Sequence, residues 1–143
     1  MQIGDTIHNF VDGVVLTGTF LVSAPLGVIT ALAIGSHELP QEIGDFSVML
    51  HHGYRRKVVL LANVGSSLAS IIGAILAYSF RGFLEPYLPQ ILAIAAGNFI
   101  YIAAADLIPE ISATGRADKT SHIIIMLALG IFTIWMLQHY LVA

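Results

Sequence analysis

The chain has 143 residues, of which 57% are hydrophobic and 10% charged, and a formal net charge of −3. A soluble domain carries about 25% charged residues, so this composition excludes an ordinary soluble protein and points to a membrane protein. The absence of cysteine excludes disulfides and thiolate metal ligands, and no basic stripe suggests a nucleic-acid partner.

Crossing ~30 Å of hydrocarbon takes about 20 helical residues. By that measure residues 1–50 divide at Val22–Pro25 into two spans, about 1–21 and 25–48. Pro25 suits the first turn of a helix, where its missing N–H costs little. Met1 is followed by Asp5, His8 and Asp12 rather than a basic segment, so the start does not read as a cleavable signal.

Both spans carry a polar stripe. At ~100° per residue, His8, Asp12 and Asn9 fall at about 0°, 40° and 100°. On the second span His37, Gln41, Asp45, Glu38 and Glu42 fall at about 0°, 40°, 80°, 100° and 140° by the same rule. Facing lipid, each carboxylate would cost roughly 2.5–3.5 kcal/mol, so the stripes turn inward. No Lys or Arg occurs in residues 1–50. The counter-charge therefore comes from outside the chain, and a divalent metal supplies it. A hydrogen-bonded network without an ion is the plainer alternative.

Imidazole, carboxylate and amide oxygen suit Zn²⁺, Fe²⁺ or Mn²⁺ better than Cu⁺. His8 and Asp12 with His37 and Gln41 offer a four-ligand site. Asn9 and Glu38 offer a second, with Asp12 bridging. Pro40 is expected to break or kink the second helix, with Gly35 and Gly44 flanking the break.

HHGYRRK (51–57) reads as a polar loop, and its histidines as solvated. The third span, 58–80, places Gly65, Ala69, Gly73 and Ala77 at four-residue intervals, which suits close helix packing. Asn63 and Ser67 on that span are candidates to face the site. RGFLEPYLP (81–89) marks the next boundary, with Tyr78, Phe80, Phe83 and Tyr87 as interfacial anchors. Spans 88–108 and 123–142 follow, separated by a polar loop at 111–121. Asp106 and Glu110 stand near the end of the fourth span, Asp106 as a further pathway contact. His122 and His139, near the ends of the last span, read as interfacial.

Arg55, Arg56, Lys57, Arg116 and Lys119 lie in two loops on one side, and Arg81 alone on the other. The positive-inside rule places 51–57 and 111–121 in the cytoplasm, with the N-terminus inside and the C-terminus outside. The expected fold is thus an all-α membrane bundle of five transmembrane helices in a single domain, embedded in a lipid bilayer.

HNFVDG (8–13) and HELPQEIGDF (37–46) resemble the signature motifs of the ZIP (Zrt/Irt-like protein) divalent metal transporters, HNxxDG and HExPHExGD. YIAAADLIPE (101–110) resembles a further segment of that family. The resemblance implies a transporter rather than an enzyme, taking a divalent metal into the cytosol, Zn²⁺ foremost and Fe²⁺, Mn²⁺ or Cd²⁺ besides. It implies a plasma-membrane location and a first metal site at His8, Asp12, His37 and residue 41. A neighbouring second site would use Asn9, Asp12 and Glu38, and Glu42, Asp45, Asn63 and Asp106 are further pathway candidates.

Two departures stand out. Gln41 replaces the motif histidine, which loosens zinc binding or favours harder ions. The chain aligns with the last five of the family's eight helices, so a homodimer or a chain supplying three helices is an expected partner. A non-transporting metal-binding subunit is the first alternative. An intramembrane metallohydrolase, by comparison of HELPQ with HExxH, is the second.

Overall fold

A computed structural model of the chain describes residues 2–102, 104 and 117–142. Among the described residues every regular element is helical. They are α1 (Gln2–Val22), α2 (Ala24–His51), α3 (Arg56–Ser79), the single turn α4 (Arg81–Leu84), a 3₁₀ turn (Glu85–Tyr87), α5 (Leu88–Ile102) and α6 (Ala117–Val142). The expectation of an all-α bundle with five long helices is met.

The local chemistry explains the boundaries. Ser23 caps α2, its hydroxyl accepting from Leu26 N–H at 3.3 Å, and Pro25 lies in the first turn. At the other end α2 runs through His51 and closes in the HHGY sequence. Gly53 N–H donates to the Leu50 carbonyl at 3.0 Å and Tyr54 N–H to Met49 at 3.2 Å. That paired geometry needs a left-handed residue, and Gly53 supplies it with φ +85°. The turn is therefore shorter than the loop expected at 51–57. Two other connections also prove helical in part: 81–87 forms two short turns, and α6 already begins at Ala117.

Pro40 does not break α2, contrary to expectation. A proline deletes a single N–H, and the rest of this 28-residue helix continues around it. Among the described residues, a Cβ added at Gly35 or Gly44 would meet nothing within 4 Å.

Two compact units are distinguished, 1–89 and 90–143. In the first, α1 packs most extensively against α3, less against α2, and α2 touches α3 least. The α1–α3 seam is made of small residues. A Cβ on Gly13 would overlap the backbone of Ser70 and Ala74, and one on Gly73 would overlap the Phe10 carbonyl. Ala69 and Ala77 are buried in the same seam, but Gly65 is exposed and Ser66 takes its place. Thr17 Oγ1 donates across the seam to the Ala74 carbonyl at 3.4 Å. In the second unit the described part of α6 carries a run of ring contacts, with Trp135 parallel to His139 at 5.7 Å.

The polarity of the first unit is inverted relative to a soluble protein. Asp5, Asn9, Asp12, Thr19, Asn63 and Ser66 are buried, while Leu61, Leu68, Ile71, Ile72 and Ile75 on α3 are exposed. Apolar surface turned outward is what a bilayer demands. Among the described residues, α3 alone is long and apolar enough to cross a membrane by length and composition, and Ile124–Tyr140 is a shorter apolar helix. The acids on α1 and α2 lower the apolarity of those helices; Asp5 and Asp12 on α1 are buried, and Glu38, Glu42 and Asp45 on α2 are partly buried. Near the end of α3, Arg81 stacks over the Tyr78 ring at 4.6 Å and Phe83 packs on Tyr87 at 5.7 Å.

Candidate metal centre

The inward stripes of α1 and α2 meet. His8 and Asp12 stand one turn apart on α1, and His37 reaches them from α2. His8 Nε2 lies 3.2 Å from His37 Nε2, His37 Nε2 lies 3.1 Å from Asp12 Oδ2, and His8 Nε2 lies 3.7 Å from the same oxygen. A triangle with these edges has a centre about 2.0 Å from every corner, which matches ordinary zinc–nitrogen and zinc–oxygen distances. Asp12 is 1% exposed, so the site is closed from below, while His8 and His37 are only partly buried.

The tautomer of His37 follows from its neighbour. Its Nδ1 lies 3.2 Å from the Ala33 carbonyl, which can only accept, so Nδ1 carries the hydrogen. In the neutral ring, the form that binds a metal, the lone pair is then on Nε2, the atom that faces Asp12 and His8. Such a backbone-anchored imidazole is the usual outer support of a metal-binding histidine. A carboxylate oxygen and two imidazole nitrogens thus converge on one point. A single proton can bridge only two of them; a metal ion can satisfy all three.

The other predicted residues are distributed around this centre. Asn9 is 2% exposed, and its Nδ2 donates to Asp5 Oδ1 at 3.2 Å and to the Asp5 carbonyl at 3.1 Å. Gln41 Nε2 donates to the same Asp5 Oδ1 at 3.0 Å. Glu38 is partly buried, and its Oε1, like Asp12 Oδ1, is a buried oxygen without a hydrogen-bond partner among the described residues.

Glu42 faces α3 instead. Its Oε1 accepts from Ser67 Oγ at 2.7 Å, and its carbonyl accepts from Asn63 Nδ2 at 3.2 Å. Glu42, Asn63 and Ser67 line a cavity of about 310 Å³ that is separate from the His8–Asp12–His37 centre. Asp45 is half-buried one turn beyond Gln41. Asp106 and Glu110 lie outside the described residues. His51 and His52 are exposed at the end of α2, where the His52 ring meets the Val48 carbonyl at 2.8 Å.

Asp5 is the residue that sequence reasoning passed over. On the helical wheel it falls at about 60°, between Asp12 and Asn9, and it too has no basic partner in residues 1–50. That position was the available signal.

The family model described as ZIP Zinc transporter matches residues 1–138. Human zinc transporter ZIP4 is 40% identical over 109 residues, which is 76% of this chain and 17% of that protein. Zinc transporter foi of Drosophila melanogaster is 39% identical over 114 residues, 80% of this chain and 16% of that protein. Zinc transporter ZIP13 of Gallus gallus is 33% identical over 140 residues, 96% of this chain and 38% of that protein. The chain therefore spans less than half the length of each of these relatives. All three are named as transporters, not as enzymes, and no solved structure matches the chain. With the two polar motifs assembled on adjoining helices and the family model matching nearly from end to end, the chain belongs to the ZIP zinc transporter family.

Proposed function

We propose that this chain conducts a divalent metal cation, zinc foremost, across the membrane toward the cytosol. The observation that carries the reading is the convergence of His8, Asp12 and His37 from two helices, in a region with five carboxylates and no Lys or Arg. Zinc accepts nitrogen and oxygen donors at the distances the triangle offers, and the names of the relatives support zinc over Fe²⁺, Mn²⁺ or Cd²⁺.

Asn9, Glu38 and Gln41 complete the coordination in this reading. The buried oxygens Asp12 Oδ1 and Glu38 Oε1 favour a second ion beside the first, with Asp12 between them. The two partly buried histidines receive the ion as it sheds water, and the acids balance its charge. Movement toward the cytosol is the direction that the resemblance to the ZIP transporters implies, and the clustering of Arg55, Arg56, Lys57, Arg116 and Lys119 supports a cytosolic start of the chain in this reading. The plasma membrane is the proposed location. A second copy, or a chain supplying further helices, is the proposed partner.

The test is Zn²⁺ flux into proteoliposomes holding only this 143-residue chain, beside a His8→Ala/His37→Ala variant. Flux that disappears in the variant supports the reading. Folded protein that binds Zn²⁺ without flux would instead make the chain a metal-binding subunit.

A further inference from the structure

Asp5 stands in the first turn of α1 and is 8% exposed. Its Oδ1 accepts from two side-chain amides at once, Gln41 Nε2 on α2 at 3.0 Å and Asn9 Nδ2 on α1 at 3.2 Å. The Asp5 carbonyl accepts from Asn9 Nδ2 as well, at 3.1 Å. An ionised carboxylate offers acceptors only. Each amide must therefore turn its NH₂ toward Asp5, and its oxygen the other way.

This matters because the two ends of an amide have nearly the same shape and opposite chemistry. The oxygen is a ligand for a hard or borderline cation; the NH₂ is not. An amide free to flip would present the wrong end part of the time. We propose that Asp5 is a positioning residue for the metal site: it fixes the flip of Gln41 and Asn9 so that both present oxygen, not NH₂, to the bound cation. The inference rests on the reading of His8, Asp12 and His37 as that cation's anchors.

It also accounts for a glutamine at position 41. A neutral amide bridges a carboxylate on one side and a cation on the other, with NH₂ for the first and oxygen for the second. With no Lys or Arg in residues 1–50, these amides are the side-chain donors that the buried Asp5 carboxylate has among the described residues.

The experiment is titration of the detergent-solubilised full chain with Zn²⁺, and with Co²⁺ as a spectroscopic substitute whose visible bands report the donor set. The informative variant is Asp5→Asn. It has the same shape, so a packing role would not change. But its own amide can donate to Gln41 as well as accept from it, and the flip is no longer fixed. Outer-shell changes of this kind cost about 10–100-fold in affinity, so Zn²⁺ binding should weaken at least about tenfold and the Co²⁺ bands should move. In a Gln41→Ala background the same change should cost no more than about threefold, because one of the two oriented amides is gone.

Unchanged affinity and bands in Asp5→Asn would overturn the proposal. So would a penalty that is undiminished when Gln41 is absent. The His8→Ala/His37→Ala variant separates the two levels. If it binds Zn²⁺ like the parent, the site itself is wrong, and the role of Asp5 with it. If it loses binding while Asp5→Asn does not, only the role of Asp5 fails. Should Asp5→Ala lose its fold, as judged by circular dichroism and gel filtration, the isosteric variant still decides.

Discussion

His37 Nε2 and Asp12 Oδ2 lie 3.1 Å apart across the seam between two helices, although 25 positions separate them in the chain. Asp12 is almost wholly buried and reaches both imidazoles, so it holds the triangle together from one oxygen. Replacing it by Asn keeps the shape and removes the charge. Calorimetric titration of Asp12→Asn should show Zn²⁺ binding weakened by more than about 100-fold, beyond the upper end for an outer-shell change. His51→Ala, at the exposed end of α2, should leave the affinity as it was.

Imidazole binds a metal only through a nitrogen that carries no proton. Zn²⁺ should therefore displace protons from the cluster, and its affinity should fall as the pH is lowered. Titrations in buffers of different ionisation enthalpy measure the release directly, and a binding heat that changes with the buffer is expected. An enthalpy independent of buffer would show that neither histidine gives up a proton.

Gln41→His restores an imidazole where the family motif has one. Nitrogen donors favour zinc over manganese, so the ratio of Zn²⁺ to Mn²⁺ affinity should rise at least about tenfold over the parent. Competition of the two ions for the detergent-solubilised protein reads that ratio. No change would place residue 41 outside the coordination sphere.

The α1–α3 seam is a separate prediction, independent of metal. Gly13→Ala drives a methyl group into the Ser70 backbone, and backbone cannot rotate aside. Overpacking of this kind costs typically about 1–3 kcal/mol, and thermal unfolding in detergent should show the loss. Gly65→Ala meets nothing within 4 Å and should change stability by no more than about 0.5 kcal/mol.

Much of this was readable from residue order alone. Apolar stretches between polar loops located the last three long helices, and length with Pro25 divided residues 1–50 into the first two. The wheel angles of His8, Asp12 and His37 showed two stripes that had to face inward. What a wheel cannot show is the partner opposite a stripe. Asp5 lay on the same face and still escaped notice, because its role depends on Gln41, 36 positions away. Glu42 was grouped with His37, yet at about 140° it sits far enough round the helix to meet Ser67 on α3. The glycine seam was misread for a related reason. Four-residue steps drift by about 40° each, so Gly65 rotates out of the stripe that Ala69, Gly73 and Ala77 share, and Ser66 rotates in. Pro40 showed the opposite limit, since it lies inside α2 without ending the helix there.

The glycine contacts along that seam also fix how the metal triangle can open. Two of its corners, His8 and Asp12, ride on the helix interlocked with α3; the third, His37, rides on the helix that touches α3 least. Sliding α2 past the pair stretches the two edges that end at His37 and leaves the His8–Asp12 edge alone. Of the three donors, His8 and Asp12 thus form one fixed jaw and His37 the other, and a rigid displacement of α2 alone would leave two donors together where there were three.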